Sequence, residues 1–163
     1  MYEAESGQRR WLLKAVREAA GELFSQFHGV NEGALRWRPD EREWCLKEVA
    51  AHMRDAELLY LRQIELIVRD SEPRLPYEPV DVLPSENDYR DEPIERLLQE
   101  YEEAREETVW LLRMLGEDEW QRCGLHPYRG RVSVYDIVRE VHEHDLEHLY
   151  QARRLRESLL ARR

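Results

Sequence analysis

The stretch VSVYDIVREVHEHDLEHLYQARRLRESLL, residues 132–160, decides the fold that the sequence predicts. Ser133 is followed three residues later by Asp136, a spacing that resembles a capping box and is typical of a helix start. Apolar residues then recur with the period of an amphipathic helix. The pattern predicts a helix from Val134 to about Leu160, whose apolar face packs against other helices.

Two of the three histidines in this helix share its apolar face. With about 100° of rotation per residue, His148 lies about 40° from His144, one turn further along. Five apolar residues fall within roughly 80° of His144, namely Ile137, Val141, Ala152, Leu155 and Leu159. His142 lies about 160° round the helix and cannot share a small site with the other two. Because a buried imidazole without a partner is costly, His144 and His148 need polar partners in the core.

A third histidine faces the core from another predicted helix, which begins near Trp44 and Cys45 and runs to about Arg69. Within about 80° of His52 on this helix lie, among others, Cys45, Val49, Ala56, Tyr60, Gln63 and Ile67. His52 is therefore able to meet the other pair inside a helical bundle. Three converging neutral imidazoles suit Zn²⁺ or Ni²⁺ and leave positions for water or a substrate atom, as in a catalytic rather than a structural site.

The alternative interpretation is that these histidines fill space in the core, because an H-x-x-x-H pair alone is a weak signal. Glu48, Asp55 and Asp145 lie close to the histidines along their helices. They are predicted to orient imidazoles or bound water rather than to bind a metal themselves. His28 and His126 are predicted to lie at the surface or to cap backbone groups.

Two further helices complete an all-α fold. One is predicted from about Ser6 to Phe27, with Gly29 as its stop. The other opens at Pro93, a favoured first-turn residue, and ends at Gly116. Four helices of this length predict a four-helix bundle.

The connections between these helices are long. Residues 71–92 carry four prolines and no helical period, and we expect this loop to border the substrate opening. A second long loop precedes the last helix, and its YRGRVSV portion is predicted to include a short extended piece. With long connections, helices that follow each other in the chain do not have to be neighbours in the bundle. The whole of residues 1–163 is predicted to form one domain.

Composition and charge argue against several classes of protein. The formal net charge of −10 argues against a nucleic-acid partner, since phosphates require a basic face. No apolar run approaches the roughly 20 residues that span a bilayer, and the polar N-terminus does not resemble a secretory signal. Cys45 and Cys123 are too far apart in the sequence for a C-x-x-C motif. These features predict a cytoplasmic protein.

Other metal chemistries do not match the sequence. HEHDL is not the H-E-x-x-H motif of zincin proteases, because its second histidine comes too early. A ferritin-like di-iron site requires E-x-x-H, whereas Val141 and Asp145 stand three residues before His144 and His148. Glycine-rich phosphate loops and G-x-S-x-G elbows are absent from the sequence.

Two segments resemble the DinB-like family of four-helix proteins. ALRWRPDEREWCLKEVAAHMRDAE resembles the segment in which W-[ST]-x-x-E-x-x-x-H opens the second helix. GLHPYRGRVSVYDIVREVHEHDLEHLYQARRL resembles the C-terminal segment ending in H-[DE]-x-x-H-x-x-Q. The resemblance implies a divalent metal held by His52, His144 and His148, and a homodimer. Cys45 departs from the family, which usually has Ser or Thr as this helix cap, while Glu48 keeps the other half of the capping box.

The resemblance also implies a reaction class. Characterised relatives are similar to thiol-dependent transferases and isomerases, so we expect a metal-dependent enzyme of the thiol S-transferase type, with a small-molecule substrate and a low-molecular-weight thiol as cofactor. Two alternatives stay open at this point. One is a metal-dependent hydrolase that activates water. The other is a non-catalytic stress-response or partner-binding bundle in which the metal is structural or absent.

Overall fold

The four long helices dominate the computed structural model, which describes residues 2–162, with side chains from residue 6 onward. In chain order the elements are α1 (Tyr2–Ser25), α2 (Glu32–Arg36), α3 (Leu46–Arg69), α4 (Leu83–Glu86), α5 (Ile94–Met114), α6 (Glu117–Trp120), β1 (Cys123–His126), β2 (Gly130–Ser133) and α7 (Val134–Leu160), with a 3₁₀ turn at Tyr89–Asp91. The predicted four-helix bundle is confirmed, and its long helices are α1, α3, α5 and α7.

The helix ends follow the local chemistry of the sequence. In α7 the predicted capping box is present, since Ser133 Oγ accepts from the Asp136 N–H at 3.0 Å and Asp136 Oδ2 accepts from the Ser133 N–H at 2.9 Å. α1 ends at Ser25 rather than at Phe27, because a turn carries the chain to Gly29, where φ is +70°. α5 likewise ends two residues earlier than predicted.

The bundle is not wound in simple sequential order. α3 packs against α5 and α7, and α1 packs against the same two helices. Consequently α1 and α3 lie diagonally across the bundle, as do α5 and α7. The long connections make this possible, as the sequence predicts. The helices that carry the candidate histidines, α3 and α7, are therefore direct neighbours.

α3 is covered on more sides than an ordinary bundle helix. Every residue from Leu46 to Arg54 is buried, because α2, α4 and the 3₁₀ turn pack on the side of α3 that α5 and α7 leave free. His52 lies in the middle of this buried segment and is fully shielded from solvent. Within residues 2–162, no helix has both the length and the apolar character that crossing a membrane requires.

A small hairpin holds the long 71–92 loop in place. β1 and β2 pair antiparallel around Gly130, where φ is +72°. The Leu75 N–H donates to the Leu125 carbonyl at 2.9 Å, and the Leu125 N–H donates to the Pro73 carbonyl at 2.8 Å. Gly124 lies against Leu75, and a Cβ at this position would come within 2.6 Å of Leu75 Cδ2. The loop is thereby fixed to the hairpin before it passes over α3.

Candidate metal centre

The three predicted histidines meet between α3 and α7. His52 Nε2 lies 2.8 Å from His144 Nε2 and 3.0 Å from His148 Nε2. One ligand atom from each of the three lies within 4.8 Å of the others. His144 and His148 reach the same point because they are one turn apart on α7. His52 reaches it because α3 packs directly on α7.

Hydrogen bonds fix the outward nitrogens of two of these rings. His52 Nδ1 lies 3.1 Å from the Val80 carbonyl, and His148 Nδ1 lies 2.8 Å from Gln151 Oε1. Both partners are acceptors, so each Nδ1 carries the proton and donates it. The Nε2 atoms of His52 and His148 are therefore unprotonated in the neutral rings. This tautomer is the one that metal-binding histidines adopt when their other nitrogen is held by a carbonyl.

The rings are held neutral by their surroundings. Burial, together with the nearby His148, lowers the pKa of His52 to about 4. Burial, together with His148 and His52, lowers the pKa of His144 to about 2. At neutral pH these two rings carry no positive charge. Unprotonated nitrogens at this separation repel one another unless a cation lies between them, so the donor set fits a divalent ion that accepts imidazole ligands.

Aromatic side chains form the walls around the histidines. The Trp44 ring stacks on His148 with a centroid separation of 6.0 Å and lies 4.9 Å from the ring of His52. On the other side, the Tyr60 ring lies edge-on to His144 at 5.9 Å. Neither contact was expected from the sequence. The signals for Trp44 are its place immediately before the N-cap of α3 and its position as the first residue of the W-[ST]-x-x-E-x-x-x-H pattern.

The 71–92 loop contributes a carboxylate as well as the Val80 carbonyl. Asp81 Oδ1 lies 3.7 Å from His52 Nε2, and the Asp81 side chain is 81% exposed. The loop therefore reaches the histidines directly, as its predicted role at the opening requires. Sequence reasoning did not single out Asp81, because the position of a loop residue depends on how the loop folds over α3.

Two cavities reach the histidines from different sides. The first has a volume of about 620 Å³, opens beside His148 and is lined by Trp44, Arg42 and Arg154 among others. The second has a volume of about 560 Å³ and opens beside His144. Asp81 and Glu147 line both cavities. Both volumes are in the range of small-molecule sites.

Two of the three acids predicted to orient the imidazoles have other partners. Glu48 accepts from the Cys45 N–H at 2.8 Å and pairs with Arg38. Burial opposes ionisation of Glu48, yet these two partners keep its pKa below the usual value. Asp55 accepts from Arg54 at 3.0 Å and from the Tyr89 hydroxyl. The prediction that they orient imidazoles was wrong for both, because these acids cap α3 or neutralise an arginine instead. The capping-box role predicted for Glu48 is confirmed.

The third acid, Asp145, points away from the histidines into the bundle. Both of its oxygens accept from the buried Arg105 guanidinium at 2.8 Å. The prediction was wrong here as well, because a buried arginine must be neutralised by a carboxylate. Outside the site, the His142 ring packs edge-on against Trp11 at 5.0 Å. His126 caps a turn by accepting from two backbone N–H groups, as predicted.

Comparison with known proteins decides the family. The sequence profile of the DinB superfamily matches residues 12–152. The chain belongs to the DinB superfamily. Among curated relatives, Bacillus subtilis YuaE is 21% identical over 159 residues, which cover 90% of this chain and 98% of YuaE. A protein of Oceanobacillus iheyensis named "Putative metal-dependent hydrolase" is 24% identical over 140 residues, which cover 84% of this chain and 79% of the relative.

Solved structures share the fold of this DinB-superfamily chain. YfiT from Bacillus subtilis, described as "a probable metal-dependent hydrolase with an unusual four-helix bundle topology", aligns with a TM-score of 0.85 at 15% identity, covering 94% of this chain and 88% of YfiT. The mycothiol-dependent maleylpyruvate isomerase aligns with a TM-score of 0.69 at 14% identity, covering 87% of this chain and 59% of the isomerase. At these identities the likeness establishes the fold.

Proposed function

We propose that this protein is a metal-dependent enzyme of the thiol S-transferase type, in which His52, His144 and His148 hold a divalent ion such as Zn²⁺ or Ni²⁺. The observation that carries the proposal is the convergence of three Nε2 atoms, two of them with their Nδ1 protons already donated elsewhere. A divalent ion in this position would lower the pKa of a thiol and so supply a thiolate at neutral pH.

The residues around the histidines suit a reaction rather than a closed structural site. Three protein ligands leave coordination positions free, as in catalytic zinc sites. The cavities beside His148 and His144 give small molecules access to those positions. The Val80 carbonyl and Gln151 keep the imidazoles in the required tautomer and orientation.

The cavity beside His148 is the proposed site of a low-molecular-weight thiol. Its Arg42 and Arg154 side chains suit a carboxylate on the thiol, and Trp44 provides an apolar wall. In the transfer, the thiol loses its proton and its sulfur forms a bond to an electrophilic carbon. The leaving group of that carbon departs with its bonding electrons. The mycothiol dependence of a structural relative supports this class of co-substrate.

The thiol proposal is tested by absorption of the Co²⁺-substituted protein. We expect 3-mercaptopropionate to produce a sulfur-to-cobalt charge-transfer band, and to bind more tightly than 2-mercaptoethanol, which has no carboxylate. Arg154→Ala should remove that preference, whereas His148→Ala should remove the band. Bound Co²⁺ without any band at saturating thiol would reject the transferase.

A metal-dependent hydrolase is the second candidate. Two similar proteins carry names of that class, and Asp81, 3.7 Å from His52 Nε2 and largely exposed, is a carboxylate able to accept a proton from a reacting water. Ester hydrolysis that requires both the metal and Asp81 would favour this candidate. If the metal stabilises the protein but the protein shows neither thiol transfer nor ester hydrolysis, a non-catalytic bundle is favoured.

We also propose that the functional form is a cytoplasmic homodimer. Leu146 and Tyr150 lie one turn apart on α7 and are 50% and 66% exposed. An apolar pair of this kind on a long helix suits a helix–helix contact between two copies. Light scattering should give the mass of two chains for the purified protein, and Leu146→Glu should give the mass of one.

A further inference from the structure

We propose that the cavity beside His144 binds a small organic molecule through a protonated amine. The site adjoins the proposed thiol cavity, with which it shares Asp81 and Glu147. Its role as the pocket for the electrophilic co-substrate rests on the proposed function. The assignment to an ammonium group itself rests on three features of the cavity: its charge, one buried acceptor and its aromatic walls.

The charge of this cavity is strongly negative. Its lining includes the carboxylates of Glu78, Asp81, Glu140, Glu143 and Glu147 and a single guanidinium, that of Arg129. Arg129 is paired with Glu140. Within the described part of the chain, the side-chain carboxylates of Glu78, Glu143 and Glu147 have no ion-pair or hydrogen-bond partner. A divalent ion on the histidines would offset only part of this charge, so the cavity concentrates cations.

One buried side chain presents an unused acceptor to the same cavity. Gln63 is 4% exposed and lines the cavity from α3. Its Nε2 donates to the Pro76 carbonyl at 2.9 Å, which fixes the orientation of the amide, since a carbonyl can only accept. No hydrogen-bond donor in residues 2–162 reaches Gln63 Oε1. This oxygen is free to accept from a ligand in the cavity, and an ammonium N–H is such a donor.

Aromatic rings stand at the mouth of the cavity. The Tyr77 and Tyr128 rings meet edge-to-face with centroids 5.0 Å apart, and Tyr77 also packs edge-on to His126 at 5.4 Å. Tyr60 lines the inner end beside His144. The faces of tyrosine rings attract ammonium groups. Carboxylates, an amide oxygen and aromatic faces are together the groups that recognise a protonated amine.

The two cavities differ in the charge that they select. The cavity beside His148 is lined by two arginines and three carboxylates, whereas the cavity beside His144 is lined by five carboxylates and one arginine that is already paired. We therefore infer that a co-substrate with a carboxylate approaches the histidines beside His148 and a cationic one beside His144. This arrangement keeps two small molecules from competing for one pocket.

The test compares three probes of similar shape: benzylamine, which is protonated at neutral pH, benzyl alcohol, which is neutral, and benzoate, which is an anion. Binding is measured by calorimetry on both the metal-free and the Zn²⁺-loaded protein, because a free amine is also a metal ligand. We expect benzylamine to bind to both forms about tenfold more tightly than benzyl alcohol. We expect no binding of benzoate to the metal-free form.

Variants locate the binding site. Glu143→Gln and Gln63→Leu should each weaken benzylamine binding several-fold. Glu107→Gln is the matched control, because it removes the same charge from an exposed position on α5 that lies outside this cavity. Circular dichroism checks that each variant is folded. Equal affinity for benzylamine and benzyl alcohol, or an equal effect of Glu107→Gln and Glu143→Gln, would overturn the proposal.

The benzylamine experiment and the thiol experiment can fail independently of each other. Benzylamine binding to metal-free protein, together with no thiol band on the Co²⁺ form, would retain the amine site and reject the transferase. A thiol band without benzylamine binding would retain the transferase and reject the amine site.

Discussion

At the scale of single residues, the hydrogen bond from His148 to Gln151 can be tested by replacing Gln151. Gln151→Leu should weaken Zn²⁺ binding about 10- to 100-fold, because His148 loses the acceptor that holds its tautomer. Gln151→Glu keeps an acceptor and should retain most of the affinity. Competition with a chromogenic chelator measures both. Equal affinity of Gln151→Leu and the wild type would show that this contact does not support metal binding.

The two cysteines should differ sharply in reactivity. Burial raises the pKa of the Cys45 thiol to about 11, so the thiol is neutral at any pH well below that value. Cys123 is partly exposed. We expect iodoacetamide at mildly alkaline pH to alkylate Cys123 and to spare Cys45, as read by mass spectrometry of tryptic peptides. Denatured protein, in which both react, is the control, and rapid labelling of Cys45 in the folded protein would contradict the burial.

The histidines were predictable from the sequence because helical spacing determines which side chains share a face. The H-x-x-x-H pair on α7 and His52 on α3 each required only the angle per residue. The Val80 carbonyl was not predictable, since every residue has a carbonyl and only the path of the loop brings this one to His52. The capping contact of Glu48 with the Cys45 N–H was predictable from the capping-box spacing. The arginine partners of Glu48, Asp55 and Asp145 were not, because proximity along a helix does not reveal which arginine comes from elsewhere.

At the scale of elements, the contact between the hairpin and the 71–92 loop should control both stability and the histidine site. In Gly124→Val the new side chain would meet Leu75 and Ile67, with its Cβ 2.6 Å from Leu75 Cδ2 and 3.0 Å from Ile67 Cγ1. We expect a loss of about 1–3 kcal/mol in the free energy of unfolding, measured in urea. Zn²⁺ affinity should also fall, because the loop carries Val80.

Gly21 provides the contrasting substitution. A Cβ at Gly21 would meet nothing within 4 Å, and the residue lies inside α1. Gly21→Ala should therefore raise the free energy of unfolding by up to about 1 kcal/mol. It should leave Zn²⁺ affinity unchanged. If Gly124→Val were as stable as the wild type, the loop would not be held by this contact.

The strands and the helix order show where element-level prediction ends. The extended piece preceding α7 was predictable from YRGRVSV, and it forms β2. β1 was not predicted, because Cys123–His126 is short and its pairing with β2 depends on the turn at Gly130. The diagonal relation of α1 to α3 was allowed by the long connections but not specified by them. Which faces of four amphipathic helices meet is a property of the assembled core.

At the scale of the whole molecule, one buried ion cluster joins all four long helices. Arg105 of α5 donates to Asp145 of α7 at 2.8 Å, to Glu57 of α3 at 2.7 Å and to the Val16 carbonyl of α1 at 2.7 Å. Thr108 adds a hydrogen bond to Glu57 at 2.8 Å. The cluster fixes α3 relative to α7 within a few residues of the histidines.

Arg105→Met should be strongly destabilising, by about 3–5 kcal/mol, because it leaves buried carboxylates without their cation. Burial already raises the pKa of Asp145, and Arg105 opposes that rise. An acid whose pKa is higher in the folded state destabilises the fold once it must ionise, and that penalty disappears as the pH falls. The variant should therefore regain part of its stability on acidification, as measured by urea unfolding at several pH values. If Arg105→Met lowered the free energy of unfolding by the same amount at every pH, this account would be contradicted.

The central claim is that the three histidines hold a metal, and elemental analysis of the untagged protein tests it most directly. The same assay is run on His52→Ala and on His28→Ala, which removes an exposed histidine outside the site. The account predicts about one divalent metal ion per chain in the wild type and in His28→Ala, and none in His52→Ala. Full metal content in His52→Ala, or no metal in the wild type after reconstitution with zinc, nickel or manganese, would contradict it.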